Sequence, residues 1–174
     1  EDLQANLHFI EQQGLFGYFP PLIFGRLLLM PGTPARSQIE HERGLHGSIH
    51  ETLPYDFVDP QVTEIFALLS DFQRGWGNLW YELAFRLLDG LPALEIDLRQ
   101  GEAAASGALS PRQLAQLKLE FFALTRIPYQ LLRDGLDLAG QGQRLAERPE
   151  LLAKAAGELA EVSRRVQLLL PSAP

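Results

Sequence analysis

The sequence predicts a mostly α-helical protein with a small α/β portion, in which one helix-strand unit precedes a helical domain. Two observations predict this. Apolar residues keep helical spacing through most of residues 59–174, whereas Leu22–Met30 is a nine-residue apolar run ended by Pro31-Gly32, as expected of a strand buried on both faces. With 46% hydrophobic and 21% charged residues, the 174-residue chain can bury a modest core and is expected to fold.

Taken in order, the first element is a short amphipathic helix, with Leu3, Leu7 and Ile10 at i, i+4 and i+7 and Gly14 where a C-cap would sit. The turn-rich stretch Leu15–Pro21 leads into the strand Leu22–Met30. From Thr33 to Pro54 no period persists, so a loop with one helical turn is expected. Asp59-Pro60 then opens the strongest helix, carried by Val62, Ile65, Phe66, Leu69, Phe72, Trp76, Leu79, Trp80, Leu83 and Leu87, with Gly75 and Gly77 as points of weakness. Leu91–Leu98 reads as a separate short helix and Gly101–Gly107 as a connector. Ser110-Pro111 restarts helix through Leu114, Leu117, Phe121 and Leu124, with a kink or break expected at Pro128. Gly140–Gly142 separates it from a last helix bearing Leu151, Leu152, Ala155, Leu159, Val162, Val166 and Leu169. About five helices are expected after residue 59.

Composition excludes several classes of function. The net charge of -7 disfavours binding that neutralises phosphates, so nucleic acid is not an expected partner. With no cysteine, the chain has no disulfide, thiolate metal site or Cys nucleophile. No apolar stretch approaches the roughly 20 residues of a membrane span, and the acidic start lacks a secretory pattern. A cytoplasmic protein is expected. Because Glu1 is not an initiator Met, the chain is expected to begin inside a longer protein or after processing.

Two ordered sets of residues carry a family resemblance. The first is Glu1-Asp2-Leu3-x2-Asn6-Leu7-x-Phe9-Ile10, Phe16-x-Tyr18-Phe19-Pro20-Pro21, Gly25-Arg26-Leu27 and Met30-Pro31-Gly32-Thr33-Pro34. The second is Tyr55-x-Phe57-x-Asp59-Pro60-x-Val62, followed by an apolar helix. Together they resemble radical SAM proteins that carry a cobalamin-binding domain, over roughly residues 1–90. The resemblance implies that residues 1–34 end a partial barrel with its last helix, sixth strand and Pro-Gly-Thr-Pro loop. Residues 35–58 would then form a connecting or lid loop, and 59–174 an α-helical C-terminal domain. It also implies an enzyme that cleaves SAM reductively with an iron-sulfur cluster to a 5'-deoxyadenosyl radical. Cobalamin would serve methyl transfer, cyclisation or rearrangement on a small-molecule or peptide substrate. The family's Cys-x3-Cys-x2-Cys and Asp-x-His-x2-Gly motifs are absent, so this chain is expected to be inactive alone and to partner the remainder of its own polypeptide.

By the same resemblance, Leu28, Leu29 and Met30 would lie beside the adenosyl part of SAM, with Pro31, Gly32 and Thr33 in the loop that follows. Each also fits a plain core strand and turn. Arg26 interrupts the apolar strand, so it either meets an acidic group in the barrel interior or reaches the substrate side. Active sites of α/β barrels lie at the C-terminal ends of strands, which places the long Pro31–Thr52 segment over the substrate and offers His46 and His50 to it. The competing role for that segment is a simple bridge between barrel and helices.

Other constellations are weaker. His41, His46 and His50 with Glu40, Glu42 and Glu51 lack metal-ligand spacing and read as a solvated loop, and His8 reads as a surface or packing residue. No serine stands in a Gly-x-Ser-x-Gly turn, and the glycines compose no phosphate loop. Trp76, Trp80, Tyr81 and Phe85 have the spacing of packing residues. The alternative from another class is a free-standing helical module that binds a partner protein in a groove lined by Trp76 and Trp80.

Overall fold

The structure, a computed structural model, describes residues 2–13, 34–43, 60–100 and 110–170. Every element among these residues is helical: α1 (Asp2–Gln12), α2 (Pro34–Arg43), α3 (Pro60–Gln100), α4 (Pro111–Gly140), a 3-10 turn (Leu145–Glu147) and α5 (Pro149–Leu169). The strand expected at Leu22–Met30 and the connector at Gly101–Gly107 lie outside the described residues.

Helices α3, α4 and α5 form an up-down-up bundle, with their directions fixed by contacts along their lengths. Gln61 reaches the Ala139 carbonyl, Trp80 the Leu124 carbonyl and Lys118 the Glu95 carboxylate, so α3 and α4 run antiparallel. Lys154 meets Asp134 and Arg165 meets Glu120, so α4 and α5 are antiparallel as well. The core includes the apolar faces that the helical spacing marks: Ile65, Leu69, Phe72, Trp80, Leu83 and Leu87 from α3, Leu114, Leu117, Phe121 and Leu124 from α4, and Leu159 and Val166 from α5. Gly135 lets α4 approach α3 closely, since a Cβ there would stand 3.1 Å from Leu68 Cδ2.

Local chemistry sets the ends. Ser110 begins α4 with a capping box: its Oγ accepts from the Gln113 amide at 3.3 Å, and the Gln113 side chain accepts from the Ser110 amide at 2.9 Å. The other end closes in a Schellman motif. The Gly142 amide bonds the Ala139 carbonyl and the Gln143 amide bonds the Leu138 carbonyl, with Gly142 at φ 74°. The chain then turns through Leu145, whose amide donates to the Glu64 carboxylate of α3 at 2.7 Å.

Four expectations need correction. Leu91–Leu98 is not a separate helix, because α3 runs unbroken for 41 residues with Pro92 inside it. Proline removes the bond to the carbonyl four residues back, here that of Leu88, and both residues are on exposed surface where water can serve instead. The region from Thr33 to Pro54 holds more than one helical turn, since α2 is ten residues long. Among the described residues the domain after residue 59 has three α-helices and a 3-10 turn rather than five helices.

The fourth correction concerns the break that was the alternative to a kink at Pro128: α4 is not broken there and runs on to Gly140. Its missing amide leaves the Leu124 carbonyl without an intrahelical donor. That carbonyl accepts from Trp80 Nε1 at 2.9 Å in a buried setting, and Trp80 itself is 1% exposed. The indole supplies from α3 what the prolyl ring takes from α4. Trp80→Phe keeps an aromatic ring but removes the donor, and it is expected to destabilise the protein by about 1–3 kcal/mol. In a Pro128→Ala background, where residue 128 regains its amide, the penalty of Trp80→Phe should shrink by more than half. Denaturant titrations of the four proteins measure this coupling; equal penalties in both backgrounds would refute it.

Candidate functional site

None of the residues expected at the cofactor or substrate, namely Arg26, Leu28, Leu29, Met30, Pro31, Gly32, Thr33, His46 and His50, lies within the described residues. The described segment nearest to them in sequence is α2, which begins at Pro34 of the Pro-Gly-Thr-Pro run. His41 sits exposed on α2, and His8 sits exposed on α1 with its Nε2 2.8 Å from Gln12 Nε2. Among the described residues no three His, Asp or Glu side chains converge in a way that could hold a metal ion.

The aromatic stripe on α3 divides between interior and surface. Trp80 is in the core, Trp76 packs half-buried 6.1 Å from the Phe72 ring, and Tyr81 meets Trp80 edge to face at 5.1 Å. Phe85 stacks on Tyr81 at 6.1 Å and is 48% exposed. An open hollow of about 350 Å³ is lined by Gln73, Gly77, Trp80, Tyr81 and Pro128 among others. Its lining is mainly apolar, and Trp76 does not line it.

A second hollow, of about 560 Å³, lies where α3 meets the 3-10 turn and the start of α5. Glu64 and Asp71 stand on one side and Arg148 on the other. These charges are already engaged: Glu64 with the Leu145 amide, Asp71 with Arg74 at 3.0 Å, and Arg148 with Gln143 and Glu150. They hold the corner of the bundle together.

The paired carboxyls elsewhere have the same structural character. Two hydrogen-bonded cations, Lys118 first and then Arg99, hold Glu95 below the usual carboxylate range. Burial pushes Asp134 up, but hydrogen bonds from Lys154 and Gln130 outweigh it and leave this carboxyl lowered. Glu161 is brought down to about 2, chiefly by its hydrogen bond from Arg164 and then by Arg165. Glu120 is only 4% exposed and is bonded by Gln116 and by Arg165 Nε at 2.9 Å. Such groups mark active sites when they line a cleft. Here they bridge α3 to α4 and α4 to α5, or pair along one helix.

No protein-family model, curated protein or solved structure matches this chain.

The lowered carboxyls tie stability to pH. Their folded pKa values lie below the unfolded ones, so the native state is favoured above the ordinary carboxylate range, and that contribution is lost as pH falls through about 4.5 to about 2. Thermal melts should therefore move down between about pH 6 and about pH 2, and Asp134→Asn should flatten part of that slope. A midpoint that is flat over this interval would contradict the assignment.

Proposed function

We propose that this chain is the C-terminal portion of a cobalamin-dependent radical SAM enzyme that carries out methyl transfer, cyclisation or rearrangement. The observation that carries the reading is the order of sequence features over residues 1–90: amphipathic helix, aromatic-proline link, apolar run with Arg26, Pro-Gly-Thr-Pro, and the Asp59-Pro60 entry into a long helix. Helices α1 and α3 fall on the amphipathic helix and the long helix of that order and are compatible with it.

In this reading Leu22–Met30 is the sixth strand of a partial barrel, with Leu28, Leu29 and Met30 against the adenosyl group of SAM and Pro31-Gly32 in the loop beyond. Arg26, Thr33, His46 and His50 face the substrate. The chain has no cysteine and no Asp-x-His-x2-Gly, so its residues fit neither the cluster nor cobalamin. Both groups belong to the remainder of the polypeptide. Residues 31–52 form the substrate lid, and α2 gives that lid a helical spine, which a plain connection would not need.

The coding sequence upstream of Glu1 tests the assignment directly. A Cys-x3-Cys-x2-Cys motif and an Asp-x-His-x2-Gly motif are expected there, and an upstream sequence with neither would end this reading. For the lid, His46→Ala with His50→Ala in the intact enzyme should lower substrate turnover by about tenfold or more while uncoupled SAM cleavage persists. Wild-type rates for both processes in a folded variant would make residues 31–52 a connector.

A further inference from the structure

The outer side of α3 carries an apolar strip that faces away from α4 and α5. Tyr81, Phe85, Leu88, Pro92 and Ile96 follow one another at intervals of three and four residues, so they line up along one side of the helix. Phe85, Leu88 and Ile96 are 48%, 36% and 53% exposed, Pro92 is exposed, and Tyr81 is half-buried with its ring stacked on Phe85. Exposed apolar rows of this length mark contact surfaces. Charged residues stand beside the strip and not on it: Glu82, Arg86 and Asp89 along one edge, and Glu95, bound to Lys118, along the other. Among the described residues Arg86 and Asp89 take part in no ion pair.

The strip reads the same from either end. Tyr81 and Phe85 are four residues apart at one end, Pro92 and Ile96 four apart at the other, and Leu88 sits in the middle. Two copies of α3 laid antiparallel about a twofold axis between Leu88 and Asp89 therefore match apolar residue to apolar residue: Tyr81 opposite Ile96, Phe85 opposite Pro92, and Leu88 against its own counterpart. Such a twofold also brings like edge to like edge. Arg86 of each copy then stands beside Asp89 of the other, and both pairs form at once. An axis three residues nearer the N-terminus would set Glu82 against Asp89, acid on acid, and would lose the apolar match.

Pro92 supplies an independent reason for a facing helix. It offers no amide to the Leu88 carbonyl, which lies at the centre of the strip. At Pro128 the same gap is filled by a donor from the facing helix, Trp80. In the antiparallel pair Arg86 of the second copy stands at the level of Leu91, about 3 Å along the axis from Asp89, so its five donors serve the Asp89 carboxylate and the Leu88 carbonyl together.

We propose that the strip from Tyr81 to Ile96 is a homodimer interface, packed antiparallel against the same strip of a second copy of this chain, with paired Arg86 and Asp89 setting its register. The seam is about 22 Å long. The inference is independent of the cofactor reading above.

Sedimentation equilibrium of the 174-residue chain over a dilution series is expected to show reversible dimerisation. Phe85→Asp and Ile96→Asp should each weaken it by about tenfold or more while helix content by circular dichroism is kept, because both side chains are exposed. Arg86→Glu and Asp89→Arg should each weaken self-association, yet in a mixture the two variants should pair more tightly than either does with itself, a result that a folding defect does not produce. Because the chain has no cysteine, single cysteines report the direction of the helices. With a short bismaleimide reagent Leu88→Cys should link to its own counterpart, whereas Glu82→Cys, about 20 Å from its counterpart, should not. A chain that is monomeric at every concentration would assign the strip to another occupant, such as the remainder of a longer polypeptide, and overturn the proposal. Dimers that survive both aspartate variants, charge variants that pair no better mixed than alone, or equal linking at positions 82 and 88 would overturn it as well.

Discussion

Pro128 stands in the middle of α4 and withdraws the amide that the Leu124 carbonyl needs, and Trp80 of α3 replaces it at 2.9 Å. A buried carbonyl with no donor costs about 1–3 kcal/mol, so α4 can hold proline there only while the indole is in place. The hydrogen bond also acts as a register pin. Apolar faces of two helices tolerate sliding by a turn, because one leucine resembles another; a single indole donor and a single orphaned acceptor do not. The remaining α3–α4 contacts, from Gln61 at one end to Glu95 at the other, fall in line with that one pairing.

The polar contacts away from this pin work differently. Glu120 lies nearly buried between α4 and α5, and Arg165 approaches it from the solvent side, 37% exposed at its side chain. Buried ion pairs are weak contributors to net stability, since desolvation offsets their attraction, but a carboxylate left there alone would be strongly unfavourable. The pair therefore fixes which face of α5 meets α4 more than it strengthens the contact. The Glu64 carboxylate does the same for the chain reversal before α5 by accepting the Leu145 amide. Between them, these groups fix the directions that the hydrophobic core alone would leave open.

Much of the bundle was legible in the sequence because helical spacing reports burial directly. The residues marked on α3, α4 and α5 by that spacing are largely those found in the core, and Ser110-Pro111 and Gly140–Gly142 are the end signals of α4. What was not legible lies at the prolines. A local rule treats Pro92 and Pro128 alike as helix breakers, yet one carbonyl is left at an exposed surface and the other is met by a tryptophan 44 residues away in sequence. Only tertiary structure decides such cases, although a tryptophan on a facing helix was a usable hint. α2 was missed for another reason: it is short and polar, so it lacks the apolar period by which the other helices were found. The proposed site falls on residues 26, 28–33, 46 and 50, and its legibility rests on the resemblance alone.

The position of α1 connects these two levels. In sequence it precedes the apolar run assigned to the barrel; in the structure it packs on α4, held by Leu7 and by Glu11 with Arg133. α1 therefore meets the bundle through the outer face of α4, whose inner face is pinned to α3 at Trp80 and to α5 at Arg165. α4 can carry both contacts only as a continuous helix, and Trp80, by satisfying the Leu124 carbonyl at Pro128, keeps it continuous between Glu120, which meets α5, and Arg133, which meets α1.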